Sequence, residues 1–564
     1  MATISRTAGT AAPRRTAVLD DAHVGDIRGA LGTIAVDDFA PRTGLPAKLK
    51  TLLAIVGPGL IVMCGDNDAG AFSTYGQAGQ NYGTRLLWTL LLLVPVLYVN
   101  QEMVLRLGAV TGVGHARLIL ERFGKFWGAF SVIDLFILNA LTIITEFIGI
   151  TLAAGYLGVP KLVAVALAAA VIIAAAFTGS FRRFERIAMT FCAGSLLLIP
   201  LVLLTHPHVG AVAQGFVVPG LPGGSGQMAT VMLLIIGIVG TTVAPWQLFF
   251  QQSYVIDKRI TPRFIPYEKA DLVIGIAVVI VGGGALMGAA AAAFAGTHAA
   301  GHYTDAAGLA AGLAAYAGKA AGAIFAVALL DAAMIGAFAV SLSTAYALGD
   351  VLGLKHSLHR GVKQAKGFYV MYGALIVGAA TIVLIPGSPL GLFTEGVQVL
   401  AGVLLPSATV FLLMLCNDKA VLGPWVNGRW TNAFTGAVIA VLIMLSLILI
   451  ASVTFPHITA HQIVAIMAVF AVVAAVAVVA LVARGHRPAP APAAGAGSTE
   501  PSEGNDSAGA SAVSKENWRM PALTMLAPVP MSRVRRIGML GMWVYLVIAI
   551  GAVVFRIIEV ATGH

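Results

Sequence analysis

The chain has 564 residues, 58% of them hydrophobic and only 11% charged, with a mean hydropathy of +0.90. So few charges cannot cover a water-soluble body of this size, and apolar runs of about 20 residues, each enough to span a core of roughly 30 Å, recur along the chain. The net charge of +10 raises nucleic acid as a partner, but the cations fall in alternate loops rather than on one face, which argues against it.

In chain order, residues 1–50 form a mixed, basic segment with Arg14, Arg15, Arg28, Arg42, Lys48 and Lys50, and without the apolar stretch of a cleavable signal. Thirteen spans are predicted near 54–78, 86–107, 127–153, 161–178, 187–205, 229–255, 272–296, 321–348, 368–386, 394–416, 433–454, 461–483 and 538–558. Basic clusters recur in every second loop: Arg106/Arg117/Arg122/Lys125, Arg182/Arg183/Arg186, Lys258/Arg259/Arg263 and Lys355/Arg360/Lys363/Lys366. Lys419/Arg429 and Arg484/Arg487 keep the same side, while the intervening loops hold mainly Arg85, Lys161 and Lys319. This positive-inside pattern places the N-terminus in the cytoplasm and predicts a multi-pass protein of a cell membrane, read as a bacterial inner membrane, with the lipid bilayer as its surroundings. The expected organisation is a cytoplasmic tail at 1–50, a core of ten spans at 51–430, two more spans at 431–485, a disordered Pro/Ala/Gly/Ser linker at 486–517, and a last segment at 518–564 whose span puts the C-terminus outside. Arg533, Arg535 and Arg536 precede that span and belong on the cytoplasmic side. Cys64, Cys192 and Cys416 are too scattered for a disulfide framework or a thiolate site.

Two spans carry helix breakers at their middle. The first reads GPGLIVMCGDNDAGAFSTYGQAG, and the sixth reads IIGIVGTTVAPWQLFFQQSYV. Glycine favours local unwinding and proline removes a backbone donor, so both helices are expected to break there. Broken backbone at bilayer depth is tolerated where it lines a cavity or is buried in protein. Spans one and six are corresponding positions of a five-plus-five inverted repeat, where transporters place their substrate. Asp66 and Asp68 lie at the first break, either as ligands or as acids capping the second half-helix. An anionic break with freed carbonyls suits a cationic substrate.

The segment from Gly57 to Trp88 resembles the first span of the natural resistance-associated macrophage protein (Nramp) family of divalent-metal transporters. GTTVAPWQLF resembles the sixth span, RLGAVTG at 106–112 the segment after the second, and VQVLAGVLLPSATVFLLMLCNDKAVLGPWVNGRWTN at 397–432 the tenth and its following loop. The resemblance implies an all-α integral membrane fold of LeuT-like type with broken helices 1 and 6 plus additional C-terminal spans, and transport by alternating access rather than enzymatic activity. It carries over the Asp68 carboxylate, the break carbonyls near Gly65 and Thr241, and the Gln398 amide as metal ligands. Two family ligands are missing: the Asp-Pro-Gly-Asn motif ends here in Ala71, and the Met-Pro-His motif reads Ala244-Pro245-Trp246. Losing the methionine thioether leaves only oxygen donors, which with the extra room suits Mg2+ and its retained waters. The substitutions resemble the Nramp-related magnesium transporter branch, so Mg2+, and also Mn2+, is the expected substrate, with no cofactor and no obligatory protein partner. Asp66, Asn67 and Gln247 flank the breaks as lining or outer-shell groups, with packing as the competing role.

The family's third span has an aspartate three residues before a glutamate; Glu146 matches the glutamate, and Ile143 stands at the aspartate position. With Trp246 in place of the sixth-span histidine, two expected relay groups are absent, and Glu146 remains as a possible proton group or as an interhelical hydrogen-bond partner. The expectation is therefore largely uncoupled import, driven for a divalent ion by ~4.6 kcal/mol per 100 mV. The alternative is a proton-coupled Mn2+/Fe2+ symporter of the ordinary Nramp kind. An amino-acid substrate is disfavoured by two aspartates at the break, and a sensor by the lack of a large soluble domain. Asp331 in the eighth span reads as an interhelical hydrogen-bond partner before a relay, and His298, His302, Asp305, His206 and His208 as solvated loop groups before ligands.

Overall fold

The structure, a computed structural model, describes residues 21–222, 228–386 and 390–454, isolated positions between 462 and 472, and residues 515–526, 528–529 and 533–562. The expected twelfth span and most of the linker at 486–517 lie outside the described residues. A two-stranded antiparallel hairpin, β1 (Ile27–Arg28) and β2 (Thr33–Ile34), comes first. The helices follow: α1 (Leu45–Ile55), α2 (Pro58–Asp66), α3 (Ala69–Tyr82), α4 (Leu87–Thr111), α5 (His115–Phe123), α6 (Lys125–Tyr156), α7 (Lys161–Ala176), α8 (Phe181–Gly194), α9 (Leu198–Thr205) and α10 (Val209–Val217). After them come α11 (Met228–Thr242), α12 (Pro245–Asp257), α13 (Ile265–Phe294), α14 (Ala306–Tyr316), α15 (Lys319–Leu352), α16 (Lys366–Val383), α17 (Leu390–Cys416), α18 (Lys419–Leu422), α19 (Arg429–Thr454) and α20 (Arg533–Thr562).

Among the described residues nine helices are long and apolar enough to cross a bilayer, or ten when α1 and α2, bent by 54°, count as one. The fourth expected span is the 16-residue α7, about 24 Å long at 1.5 Å per residue. The last is α20, which lies along α17, with Tyr545 Oη 3.4 Å from the Val403 carbonyl oxygen.

The repeat is visible in how the broken spans are held. Span one (α2 and α3) packs against α13, the seventh span, and span six (α11 and α12) packs against α4, the second. Each half of the chain thus supplies the support for the other half's broken helix. The two longest helices, α6 and α15, pack along one another, and span six is almost wholly buried, whereas α8–α9 turns most of its surface outward. Exposed Leu196, Ile199, Leu203 and Val281 fit a lipid-facing surface, where apolar side chains need no cover.

The N-terminal segment is structured from residue 21, which its composition did not announce. Arg182 donates to the carbonyls of Gly29 and Gly32, Arg186 to that of Ala30, Arg259 to that of Ala22, and Arg263 to those of Asp38 and Ala40. The arginines expected to mark the cytoplasmic side are therefore also the anchors that lay this strap across one end of the bundle. The loop after α15 joins it there: His23 and His356 rings lie 5.8 Å apart, and His356 Nε2 is 3.0 Å from Asp350 Oδ1.

Burial opposes charge on His356, but the Asp350 carboxylate and the Leu354 carbonyl outweigh it and push the imidazole up to about 9 from 6.5. A raised folded value stabilises most at low pH. The contribution is whole below about 6.5 and is lost as pH rises through about 9, with an upper bound of about 3 kcal/mol at 1.36 kcal/mol per unit. Thermal unfolding in detergent should therefore show Tm falling across this interval for the full chain, and His356→Ala should flatten the fall.

Candidate functional site

The first break occupies two residues. Asn67 ends α2 with φ −84° and ψ 49°, and Asp68 begins α3 in extended backbone with φ −77° and ψ −171°. Asp68 Oδ1 accepts from the Ala71 amide at 2.8 Å, so Asp68 is an N-cap. This is one of the two roles its position offered, and it leaves the carboxylate at the centre of the break. The Ala69 amide, another orphan donor of the first turn, goes to Glu146 Oε2 of α6 at 3.1 Å. Glu146 and Asp68 also meet side chain to side chain. Gly336 of α15 makes the room: a Cβ there would fall 2.7 Å from Glu146 Cδ and 2.9 Å from Asp68 Cβ.

Gln398 of α17 closes on the same turn. Its amide covers Gly70 so closely that a Cβ at 70 would collide with Nε2, and that Cβ position is itself 3.1 Å from Asp68 Oδ1. Gln398 Nε2 is buried and has no hydrogen-bond partner among the described residues. Asp68, Glu146, Gln398 and Ala71 are thus brought together around the start of α3.

The second break opens between Thr242 and Pro245. Ala244 is extended, with φ −88° and ψ 146°, and Thr241 Oγ1 is buried without a partner among the described residues. Thr242 Oγ1 donates to the Ile238 carbonyl at 2.6 Å and lies 2.7 Å from the Tyr75 hydroxyl of α3. Gln247 links the two breaks: Nε2 donates to Asp66 Oδ1, while Oε1 accepts from Gln101 of α4 at 2.8 Å. Asp66 is held in this Gln101–Gln247 chain, and its second oxygen is buried and unpartnered among the described residues.

Trp246 is buried and turned onto Gly65, where a Cβ would lie 3.3 Å from Trp246 Cη2. Its carbonyl accepts from Ser343 Oγ at 2.8 Å. Asn67 points the other way, its Nδ2 3.4 Å from the Val279 carbonyl of α13. It therefore ties the break to α13.

Among the described residues no group of three or more His, Cys, Asp or Glu side chains is placed to hold a metal ion. The peripheral candidates go elsewhere: Asp305 caps α14 through the Gly308 amide at 2.7 Å, and Asp331 packs against Gly194 of α8. Reasoning from sequence did not single out Gln101, Tyr75, Ser343 or Gly336. Gln101 carried a signal, as a fully buried amide inside an apolar span; the others gain their role only from partners far along the chain.

These features define a membrane protein of the five-plus-five inverted-repeat LeuT type with broken helices 1 and 6. Residues 59–452 match the family model for natural resistance-associated macrophage protein-like proteins, and the chain belongs to the Nramp family. It is 31% identical over 426 residues to the divalent metal cation transporter MntH of Ralstonia nicotianae, covering 71% of this chain and 91% of that one. It is 29% identical over 434 residues to MntH 1 of Pseudomonas aeruginosa, covering 72% and 94%. The fold matches the Eremococcus coleocola manganese transporter with TM-score 0.59 and 21% identity, over 81% of this chain and 97% of that one. The relatives are transporters, not enzymes.

The cap made by Asp68 can be tested by substitution. Asp68→Asn keeps an acceptor for the Ala71 amide and should keep the Tm of the parent, whereas Asp68→Ala should lose about 1 kcal/mol. Thermal unfolding in detergent reads the difference, and equal stabilities would show that the cap contributes nothing.

Proposed function

We propose that the chain is a secondary transporter importing divalent metal ions, Mg2+ and also Mn2+, by alternating access with little or no proton coupling. The observation that carries this reading is the donor set at the break: the Asp68 carboxylate beside the Gln398 amide, with Ala71 and Ala244 where bulkier ligands would stand. Ion and substrate are the same species here, so no resident cofactor is involved. Oxygen donors in a site with room for water favour a hard ion that dehydrates reluctantly, and the absence of a thioether removes the preference for softer metals.

Lack of coupling is supported by Ile143 and Trp246, which cannot titrate. The positive-inside distribution supports a cytoplasmic N-terminus in a bacterial inner membrane, the lipid bilayer being the only partner beyond the ion that the reading requires. A second reading, proton-coupled Mn2+/Fe2+ symport, is favoured by one observation: Glu146 lies directly against Asp68, where a proton and a metal ion would compete.

Uptake into proteoliposomes under an imposed potential tests both. The expected result is Mg2+ entry that competes with Mn2+ and leaves internal pH unchanged, and that Asp68→Ala abolishes. Mg2+-insensitive Mn2+ entry with acidification would establish the second reading instead. Restoring the missing ligands, Ala71→Asn with Ala244→Met, should move preference toward Mn2+ and Cd2+; an unchanged ion order would show that these two positions do not set selectivity.

A further inference from the structure

Below the break, at the strap-covered end of the bundle, four ionisable side chains meet with no exposure at all: Glu185 of α8, Lys258 just after α12, and Glu268 and Asp271 of α13. Glu185, Lys258 and Asp271 surround Gly57, the joint between α1 and α2. Its φ of 155° and the nearness of Lys258 Nζ, 2.8 Å from where a Cβ would stand, leave room only for glycine. Lys258 Nζ donates to the carbonyls of Ile55 and Val56 at 2.6 and 2.8 Å and to Glu185 Oε1 at 2.8 Å. Glu185 Oε2 accepts from the Ala30 amide of the strap. Asp271 caps α2, accepting from the amides of Gly57, Gly59 and Leu60 at 3.2, 2.6 and 3.2 Å. The lower half of the broken first span is clamped by this cage.

The hydrogen bonds divide the three acids. Asp271 has three backbone donors and the positive end of α2. Glu185 has an ammonium and an amide. Among the described residues Glu268 has none: both its oxygens are buried without a hydrogen-bond partner, and Asp271, one turn further along α13, lies on the same helix face. Pro266, two residues earlier, has no amide hydrogen to offer. The charged and titratable groups facing Glu268 are Asp271 on its own helix, Lys258 beyond α12 and Glu185 on α8; Tyr254 of α12 and Cys192 of α8 stand around the other two acids. A single cation, already engaged by Glu185, cannot balance a third buried carboxylate, and an unpaired buried charge is far costlier than a neutral acid.

We propose that Glu268 is a proton-binding site that locks the inner end of the first span: it carries a proton donated in a hydrogen bond to Asp271 while α2 is clamped, and gives it to the cytoplasm when α2 swings away. Opening at the Gly57 joint removes Asp271 from its three amides and wets Glu268, whose carboxyl then ionises in water. Reclosing requires the same proton back, since burying two adjacent carboxylates is unfavourable. The proton is taken from and returned to one side of the membrane. The gate is thus sensitive to cytoplasmic pH while no proton crosses with the ion, and the direction of this effect rests on the transport reading and orientation above.

Infrared spectra of the reconstituted full-length protein test the site without transport. A protonated-carboxyl C=O band should be present and be lost in Glu268→Gln, an isosteric neutral substitute; an unchanged band would overturn the proposal. Uptake then tests the role: the rate should fall with rising cytoplasmic-side pH, by up to about tenfold per unit, the limit for one linked proton, and be flat in Glu268→Gln. A Glu268→Gln profile as steep as the parent's would overturn it. Titrating the band in the unsubstituted protein keeps the site testable if the variant misfolds: a carboxyl band absent at every pH rules it out. Loss of all uptake with the Glu268 band intact would count against the transport reading and leave the proton site standing.

Discussion

Everything at the centre of this protein depends on satisfying backbone groups freed inside an apolar bundle. Where α2 stops and α3 starts, the helix ladder is interrupted at a depth without bulk water, and each orphaned amide costs several kcal/mol if left alone. Asp68 takes the Ala71 amide and Glu146 takes the Ala69 amide, so the break is stable because two carboxyls hold it open. The acids therefore have a structural role that is not optional. Capping occupies only part of the acceptor capacity of the Asp68 carboxylate.

The same logic recurs lower down. The joint between α1 and α2 exposes the carbonyls of Ile55 and Val56 and the amides of Gly57, Gly59 and Leu60, and a lysine and an aspartate from other helices meet them. The first span is pinned by polar contacts at both the break and the joint, in addition to the close packing of α2 and α3 on α13. Such contacts are directional and can be exchanged for water, which apolar packing against lipid cannot match. The strap at residues 21–43 adds a further layer, because Ala30 reaches the same glutamate that holds Lys258.

The substitution of the family's ligands also has a structural reading. Trp246 is a large side chain where a histidine would stand, and it is accommodated by Gly65 on one side and Ser343 on its carbonyl on the other. Ala71 removes bulk beside the Asp68 carboxylate at the first break, and Ala244 removes it at the second. The second break thus gains side-chain volume at Trp246 and loses it at Ala244, while the first loses it at Ala71, which changes the shape of both as well as their donors.

The sequence by itself determined the membrane setting, the two interruptions, and the acid at Asp68, because hydropathy, helix breakers and an intramembrane charge are local properties readable from composition and spacing. The motifs between 57 and 432 were legible for the same reason. It did not determine which role Asp66, Asn67 and Gln247 take, or that residues 21–43 form a strap, or that Glu268 is buried on the same helix face as Asp271. Those outcomes rest on partners far apart in the chain: Asp66 with Gln247, Asn67 with Val279, Ala30 with Glu185, Gly57 with Asp271. A polar side chain in an apolar helix announces only that it needs a partner; tertiary packing alone decides which one, because burial removes water as the alternative.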